Sequence, residues 1–458
     1  MRFAHRLIAA VTLLAAATAP ALALAGPAAA RTPAGSAVTR LWAARFDGSA
    51  GRSATAGSVA TSPDGSTVYV TGLTSEGGST PMNTYDTVAY NAATGATLWV
   101  ARFRGGNGRH PEGPLPAVTV SPDGSKVFVF GHFPSRSFGF RGEYQMLAYN
   151  ATTGAQLWTA SGTCQFPARA IAVSPDSSTV YATGTLGSDY CTLAYNTTTG
   201  AVLWQANYQV GQHIHTFANA LALSPDGSDL FVTGTAGTVA YGASTGTQLW
   251  ADHYKQRWGR SDEHVAVSPD GSTVFVAGAT TVTKPEHFLT VAYNAATGAQ
   301  IWAAQKSPST FASFASAVAV SPDGSGVFVT GPSLTSNGTP PAYLTIGYNA
   351  ATGAALWVRR LADPGGNFDT LPSLAVSPDG SAVIMAGSMD QANGQLGYAV
   401  TSYAAATGAR LWAARYQGPG GGASTAAAVT ASGSNVFVTG TSARDSTQND
   451  YATIAVQG

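Results

Sequence analysis

The stretch Ala89–Trp99 recurs along the chain and constrains its fold more than any other feature. It reads Ala-Tyr-Asn-Ala-Ala-Thr-Gly-Ala-Thr-Leu-Trp, and near copies end at Trp158, Trp204, Trp250, Trp302, Trp357 and Trp412. Asn91 can bond its own backbone and Gly95 accepts a positive φ, so the segment between them favours a tight turn. We therefore predict a β-hairpin whose second strand opens on Leu-Trp.

A second fixed unit, Ser-Pro-Asp-Gly-Ser, lies between successive tryptophan copies. It starts at Ser62, near copies start at Ser121, Ser174, Ser224, Ser268, Ser321 and Ser377, and a degraded copy starts at Thr430. Proline presets φ at the first turn position, and Asp followed by Gly suits a type I turn with a bulge. Apolar residues on both sides of this turn predict strands. Each repeat thus contains four antiparallel strands, named A to D in chain order.

Two short turns join A to B and C to D, whereas variable loops join B to C and D to the next A. Strand A mixes small and β-branched residues, as in residues 170–173, and we predict that both of its faces are buried. Successive tryptophans lie between 46 positions (Trp158 to Trp204) and 59 positions (Trp99 to Trp158) apart. This period exceeds that of helical solenoids and fits propeller blades with loop insertions.

The two ends of the repeat region complement each other. Val38–Phe46 supplies an eighth Leu-Trp pair without a strand C before it, whereas Thr453–Gln457 matches strand C without a tryptophan after it. We predict that the N-terminal strand completes the last blade, which removes the exposed sheet edges at the seam. The predicted fold class is all-β, an eight-bladed β-propeller of four-stranded antiparallel blades. The alternative is a seven-bladed ring, which requires one repeat to lie outside it.

The pattern Ala-x-Asn-x-x-Thr-Gly-x-x-x-Trp resembles the tryptophan-docking repeat of quinoprotein (PQQ-type) β-propellers, and the Ser-Pro-Asp-Gly hairpins resemble those of TolB and YVTN-type repeats. The resemblance covers residues 38–458, although Gly242, Gly347 and Ser402 with Ala404 depart from the pattern. It implies that eight tryptophans dock between blades. These are Trp42, Trp99, Trp158, Trp204, Trp250, Trp302, Trp357 and Trp412. It does not imply an activity, because propellers host many functions.

Residues 1–30 have the pattern of a secretory signal peptide. A basic start and an apolar run too short to span a bilayer precede two small-residue cleavage sites, after Ala25 and after Ala30. Residues 31–37 then form a short linker, and residues 38–458 form a single propeller domain. We therefore predict a secreted, extracellular protein of bacterial origin.

Composition bounds the partners and the redox chemistry. The chain has 23 basic and 23 acidic side chains, which argues against nucleic acid and anionic membranes as partners. No stretch after the signal is long and apolar enough for membrane insertion, and we expect a monomer. In an exported protein two cysteines usually pair, so we predict a disulfide between Cys164 and Cys191.

Function is expected in the variable loops, because the repeated letters build the scaffold. The densest polar stretch, Asp252–His264, contains the one tryptophan outside the repeat, Trp258. A tryptophan between Arg257 and Arg260 fits stacking on a sugar or aromatic group while the guanidinium groups bind a carboxylate. The alternative is a loop that folds over the channel and simply buries this tryptophan. The candidate ligand-binding residues are Trp258, Arg257, Arg260, Tyr254, His253, His264, His213 and His215.

Catalytic and metal chemistry have weaker support in the sequence. His213-x-His215 places two imidazoles on one side of a strand, and His253 is a third candidate, but the set is too incomplete to predict a metal site. No residue is assignable as catalytic, since nucleotide-binding, zinc-protease and serine-hydrolase motifs are missing. No cofactor is predicted, because the adjacent cysteine pair expected of quinoprotein dehydrogenases is missing.

The sequence therefore favours an exported, non-enzymatic propeller scaffold that binds a ligand or protein through its variable loops. The alternative is an extracellular polysaccharide-active enzyme, a lyase or hydrolase, that uses histidine, arginine and tyrosine side chains of those loops for proton transfer. A PQQ-dependent oxidoreductase is a third hypothesis, which only the repeat suggests. The partner is expected to be an extracellular ligand, polysaccharide or protein.

Overall fold

Strands account for nearly all regular structure in this computed structural model. It describes residues 38–458 except 49–52, 77–81, 105–114, 135–141, 165, 210–215, 253–262, 281–285, 307–311, 335–340, 363–370, 392 and 446–447. The described residues belong to one compact unit, Gly35–Gly458. The predicted signal peptide and the whole of the predicted linker, residues 31–37, lie outside the described residues. Within these ranges, the structure has no helix long and apolar enough to cross a membrane.

The first strand along the chain is β1 (Thr39–Phe46), and four blades follow it. Blade 1 contains β2 (Ala54–Thr61), β3 (Thr67–Glu76), β4 (Met82–Asn91) and β5 (Thr97–Phe103). Blade 2 contains β6 (Ala117–Val120), β7 (Lys126–Pro134), β8 (Gly142–Asn150) and β9 (Gln156–Gly162). Blade 3 contains β10 (Phe166–Val173), β11 (Thr179–Leu186), β12 (Asp189–Asn196) and β13 (Val202–Tyr208). Blade 4 contains β14 (Ala218–Leu223), β15 (Asp229–Gly234), β16 (Gly237–Gly242) and β17 (Gln248–Asp252).

The second half of the chain continues in the same order. Blade 5 contains β18 (His264–Val267), β19 (Thr273–Ala279), β20 (Phe288–Asn294) and β21 (Gln300–Lys306). Blade 6 contains β22 (Ala317–Val320), β23 (Gly326–Ser333), β24 (Ala342–Asn349) and β25 (Ala355–Ala362). Blade 7 contains β26 (Ser373–Val376), β27 (Ala382–Asp390), β28 (Leu396–Ala404) and β29 (Arg410–Tyr416). Blade 8 contains β30 (Ser424–Ser432), β31 (Asn435–Ala443) and β32 (Asn449–Gln457), and β1 completes it.

The eight four-stranded sheets form one closed ring. In the last sheet β1 pairs antiparallel with β32, so that Thr39 lies opposite Gln457 and Phe46 opposite Tyr451. The first strand of each blade contacts the first strands of both neighbouring blades, and this series closes between β30 and β2. The predictions of an eight-bladed propeller and of closure by the N-terminal strand are confirmed.

The Ser-Pro-Asp-Gly turns are held by their own side chains. In blade 1, Ser62 Oγ donates to Asp64 Oδ1 over 2.5 Å, and the Ser66 amide donates to the same oxygen over 3.0 Å. These hydrogen bonds lower the pKa of Asp64 to about 2. In the third copy Ser177 replaces glycine and still adopts a φ of 61°. The bonds to the aspartate thus hold the turn even where the residue has a Cβ.

Each Leu-Trp step forms a β-bulge in the outer strand. In blade 1, Ala89 lies opposite Trp99 and Tyr90 opposite Thr97, which leaves Leu98 as the extra residue. The same shift occurs in the other outer strands. The bulge bends the strand locally, and Leu98 is half-exposed at the rim of the ring.

The core lies between the blades, where the faces of neighbouring sheets meet. Between blades 1 and 2, for example, Tyr69 and Ala89 pack with Val127 and Tyr149. The inner strands differ from the prediction, because residues 170–173 of strand A are half-buried rather than buried on both faces. The reason is that each inner strand has a sheet neighbour on one side only, and its other edge borders the central channel.

Candidate functional site

The loops joining B to C and D to the next A all leave the blades at one end, which we call the loop face. Of the eight candidate residues, His264 is the first residue of β18 and is half-buried. The other seven lie outside the described residues, so their roles in binding stay predictions. They are His213, His215, His253, Tyr254, Arg257, Trp258 and Arg260.

Blades 3 and 4 form a low sector of the loop face. Strands β15 and β16 of blade 4 have six residues each, whereas β3 and β4 of blade 1 have ten. At roughly 3.3 Å per residue, the blade 4 hairpin is about 13 Å shorter. Only two residues join the middle strands in blade 4, and the same holds in blade 3. The two loops that contain most candidate residues begin after β13 and β17, the outer strands of this low sector.

A buried polar pair lies at the channel side of this sector. Asn219 is the extra residue of a bulge in β14, and Glu263 immediately precedes β18. Asn219 Nδ2 donates to Glu263 Oε2 over 2.5 Å, and the two residues are 7% and 0% exposed. Bulges often re-aim side chains beside functional sites. A carboxylate this deeply buried is rare unless other groups hold it, so the pair rigidly joins the inner ends of blades 4 and 5.

Two tyrosines extend this polar cluster into blade 3. Tyr190 Oη accepts the Ala236 amide over 2.7 Å and donates to the Gly237 carbonyl over 3.1 Å. Burial raises the pKa of Tyr190, and the negative charge of Glu263 acts in the same direction. The neighbouring ring of Tyr208 is 5.7 Å away. Since a phenol with a raised pKa stays protonated at neutral pH, Tyr190 serves as a hydrogen-bonding group and not as a general base.

The pKa of Tyr208 is raised to about 12 by its burial and, secondarily, by the charge of Asp252. Tyr208 is therefore also neutral near pH 7. Together with the buried pair, the two tyrosines give the low sector a preorganised polar base. This base suits recognition through hydrogen bonds.

Half-exposed apolar side chains lie beside this base. Phe217 is 37% exposed, and its backbone is tied to the blade 4 turn by two hydrogen bonds with Thr235, of 2.9 and 3.1 Å. Three leucines in other loop-face segments are similarly exposed. They are Leu115, Leu334 and Leu371. An apolar side chain on a fixed backbone next to buried polar groups is a typical contact position in an interface.

The cysteines form a disulfide that braces the same sector. Cys164 lies in the loop before β10, Cys191 lies in β12, and their Cα atoms are 5.7 Å apart. Both residues are at most 2% exposed. The bond ties the loop that enters blade 3 to the third strand of that blade. Both cysteines of the chain are thereby used, so neither is a thiol nucleophile in this state.

The repeated tryptophans join neighbouring blades. Trp204 Nε1 donates to the Ala243 carbonyl of the next blade over 2.9 Å, and its ring lies against Gly246, where a Cβ would come within 2.6 Å. Equivalent indole bonds are made by Trp42, Trp99, Trp158, Trp250, Trp302 and Trp357. Trp412 instead lies against Gly458, at the seam where no Thr-Gly turn follows. These side chains hold the ring together.

The described residues do not fit a quinone cofactor, which the quinoprotein-type repeat implies. The two cysteines are bonded to each other and form no adjacent pair. The inner strands present mainly Ala, Ser, Thr and Val. In the part of the chain that the structure describes, no group of three or more His, Cys, Asp or Glu side chains is placed to hold a cation.

Asn219 and Glu263 are not among the residues predicted from sequence. The equivalent position, five residues before the Ser-Pro-Asp turn, is small or proline in repeats such as those with Gly57, Pro116 and Ser316, although blade 3 has Arg169 there. An amide and a carboxylate at this position in consecutive repeats were therefore a usable signal. The contact between Asn219 and Glu263 itself depends on the rotation from one blade to the next, and this rotation cannot be read from the sequence pattern.

Comparison with known proteins places the chain among propellers. The family model described as outer membrane protein assembly factor BamB matches residues 34–222, 188–395 and 235–453. Among curated proteins no sequence matches. BamB from Moraxella catarrhalis has a similar structure, with 15% identity and a TM-score of 0.54 over 92% of this chain and 100% of that chain.

Two further solved structures have comparable similarity. Sqt1 from Chaetomium thermophilum, bound to the N-terminus of the ribosomal protein L10, is 14% identical with a TM-score of 0.57, over 90% of this chain and 98% of that chain. Quinohemoprotein alcohol dehydrogenase from Comamonas testosteroni is 12% identical with a TM-score of 0.53, over 91% of this chain and 76% of that chain. At these identities the similarity concerns the fold alone.

Proposed function

The chain belongs to the family of PQQ-type repeat propellers described as outer membrane protein assembly factor BamB, and from this premise we propose that it is an exported, non-enzymatic scaffold that binds a partner protein through its loop face. The observation that carries the proposal is the low sector of blades 3 and 4. There the buried Asn219–Glu263 pair, Tyr190 and the half-exposed Phe217 lie side by side.

The cost of ordering flexible groups limits how tightly a partner binds. A partner gains most from groups that are already ordered, because ordering them on association opposes binding. Here the disulfide, the Asn219–Glu263 bond and the bonds of Tyr190 keep the base of the sector fixed. The middle strands of blade 4 have six residues each, whereas those of blade 1 have ten and extend about 13 Å further. A fixed base of this kind suits the docking of a protein segment, because little has to be ordered on association.

Two relatives support a protein partner over a small molecule. BamB is described as an assembly factor, and the structure of Sqt1 contains the N-terminus of another protein. These descriptions concern those proteins, and they favour the same use of the fold here. The polysaccharide-active enzyme stays the alternative, with His264 as its one candidate within the described residues.

A binding comparison with matched variants tests the proposal. The purified secreted protein is mixed with envelope extract of the producing cells, and retained proteins are quantified by mass spectrometry. Phe217→Asp is compared with Leu411→Asp, because both residues are 37% exposed but Leu411 lies on the outer strand β29. We expect one protein to be retained by the wild type and by Leu411→Asp, and to fall at least about tenfold with Phe217→Asp. Equal retention by both variants contradicts a loop-face site.

Separate measurements test export and the alternative functions. N-terminal sequencing of the secreted protein should begin at Gly26 or Arg31, the residues after the two predicted cleavage sites. Thermal unfolding with PQQ plus calcium, with zinc and with polysaccharide fragments should show no shift, since a ligand at 100 times its dissociation constant stabilises by about 2.7 kcal/mol. A reproducible rise of the unfolding temperature with a polysaccharide favours the polysaccharide-active enzyme instead.

A further inference from the structure

Each blade ends in an outer strand that is hydrogen-bonded on one side only. Such an edge presents free backbone N–H and C=O groups that can pair with a strand of another molecule, and natural proteins usually protect it with charged side chains. Six of the eight outer strands follow this rule. They are β1 with Arg40 and Arg45, β5 with Arg102, β17 with Asp252, β21 with Lys306, β25 with Arg359 and Arg360, and β29 with Arg410 and Arg415.

The two exceptions lie on adjacent blades. Strands β9 of blade 2 and β13 of blade 3 contain no charged residue. On β13 the consecutive residues Val202 and Leu203 are 48% and 51% exposed, and Leu157 of β9 is 46% exposed. Trp158 and Trp204 are partly exposed, as is Trp99 of the charged strand β5, whereas Trp302 and Trp357 are at most 9% exposed. This stretch of the rim thus combines an unprotected edge with apolar surface.

From this arrangement we propose that the β13 edge binds a second copy of the same chain. In a two-fold symmetric pair each residue of the strand meets the same set of residues on its partner. A charged residue on such a short strand therefore comes close to the same residue of the second copy, and the repulsion between the two like charges opposes pairing. A neutral strand is free of this repulsion, so β9 and β13 are the outer strands suited to self-pairing. The result is a continuous sheet across two blades, and it departs from the monomer expected from sequence.

Strand β13 is favoured over β9 because it has more exposed apolar surface and belongs to the disulfide-braced blade. Beyond the bulge at Leu203 the strand is regular, and the proposed pairing uses the outer edge of Trp204 to Asn207. This contact is on the rim and does not use the loop face. The proposal is therefore independent of the partner protein proposed above.

Sedimentation velocity of the full secreted protein tests it over a concentration series reaching about 100 µM, where contacts of micromolar strength are populated. Leu203→Lys is compared with Leu356→Lys. Both leucines occupy the same bulge position and are 51% and 52% exposed, but Leu356 lies on the arginine-bearing β25. We expect a reversible dimer whose dissociation constant rises at least about tenfold with Leu203→Lys and is unchanged with Leu356→Lys.

Thermal unfolding of the two variants checks that both are folded, and Val202→Lys provides a second charge on the same edge. Hydrogen exchange should slow with protein concentration in Val202–Tyr208 and not in Ala355–Ala362. A protein that is monomeric at every concentration overturns the proposal. So does a dimer that survives Leu203→Lys, that weakens equally with Leu356→Lys, or that is lost with Phe217→Asp, since the last result places the contact on the loop face.

Discussion

Arg45 and Asp450 are 405 positions apart in the chain, and Arg45 Nη2 lies 2.7 Å from Asp450 Oδ2. Arg45 also donates to Ser442 Oγ over 3.0 Å, and Arg444 donates from Nε to Asp450 Oδ1 over 2.9 Å. The first strand of the ring is thus bound to both of its last two strands by one carboxylate and two guanidinium groups. This network lies at the seam, where β1 completes blade 8 without a covalent turn.

Removing the Asp450 charge should weaken the seam. The Asp450 side chain is 5% exposed and that of Arg45 is 21% exposed, so Asp450→Asn removes the buried carboxylate that the guanidinium groups of Arg45 and Arg444 share. We expect the free energy of unfolding in urea to fall by about 1–3 kcal/mol, less than for fully buried pairs because solvent screens Arg45. Asp47→Asn is the control, since Asp47 is 58% exposed and lies 3.7 Å from Arg444. Equal losses in the two variants contradict a role for the seam network.

Trp204→Ala should lower the free energy of unfolding by about 3–5 kcal/mol, because it removes a large packed ring and the bond to the Ala243 carbonyl. Leu249→Ala is the control, because this half-exposed side chain should cost about 1 kcal/mol. Equilibrium unfolding in urea gives both values. A Trp204→Ala protein that unfolds like the wild type is incompatible with the docking role.

Two buried tyrosines of β12 should respond differently to the loss of their hydroxyl groups. Tyr190 Oη makes two hydrogen bonds across to blade 4, whereas Tyr195 Oη is buried and has no hydrogen-bond partner among the described residues. Tyr190→Phe should cost about 1–3 kcal/mol, and Tyr195→Phe should be neutral or slightly stabilising. Thermal unfolding of the matched pair measures the difference, and an equal loss in both would show that these bonds contribute nothing.

Ser402→Ala should stabilise the protein. Ser402 is 0% exposed, and within the part of the chain that the structure describes its buried Oγ has no hydrogen-bond partner. Alanine occupies the same position in blades 3 and 5, as Ala194 and Ala292. Removing a buried, unsatisfied hydroxyl should raise the free energy of unfolding by about 1 kcal/mol. The reverse change, Ala194→Ser, should lower it by a similar amount. A loss of stability with Ser402→Ala, or a gain with Ala194→Ser, contradicts this prediction.

Asp226 and Asp229 should have opposite effects on stability at neutral pH. Hydrogen bonds from Ser224 and Ser228 lower the pKa of Asp226, so its charge stabilises the fold above the ordinary pKa of 3.8, and this contribution is lost as pH falls through the lowered value. Burial, with the charge of Asp226, raises the pKa of Asp229, so its charge opposes folding above the raised value, and protonation relieves that cost.

At pH 7 we therefore expect Asp226→Asn to lower the urea midpoint and Asp229→Asn to raise it. The gain from Asp229→Asn should disappear once pH falls below the ordinary aspartate pKa of 3.8, where this residue is neutral in both folded and unfolded chains. Two results would contradict these pKa directions. One is a loss of stability with Asp229→Asn at pH 7, and the other is a gain in urea midpoint with this variant that persists in acid.

The repeated elements were predictable because each depends on nearby residues. Ser62, Asp64 and Ser66 build their own turn through bonds that span at most five positions, so the same letters produce the same hairpin wherever they occur. The bulge at Leu98 needs only the spacing between Tyr90 and Trp99. Closure by β1 was also predictable, because the two incomplete ends match one missing strand.

The sequence by itself determined the class of fold, the number of blades and the closure of the ring, since these follow from short-range turn chemistry repeated at a regular period. Only the tertiary structure decided which side chains meet between blades, such as Asn219 with Glu263 over 44 positions and Arg45 with Asp450 over 405. It also decided that the inner strands are half-exposed to the channel. Such contacts depend on the rotation from one blade to the next, a property of the whole closed ring that no local pattern encodes.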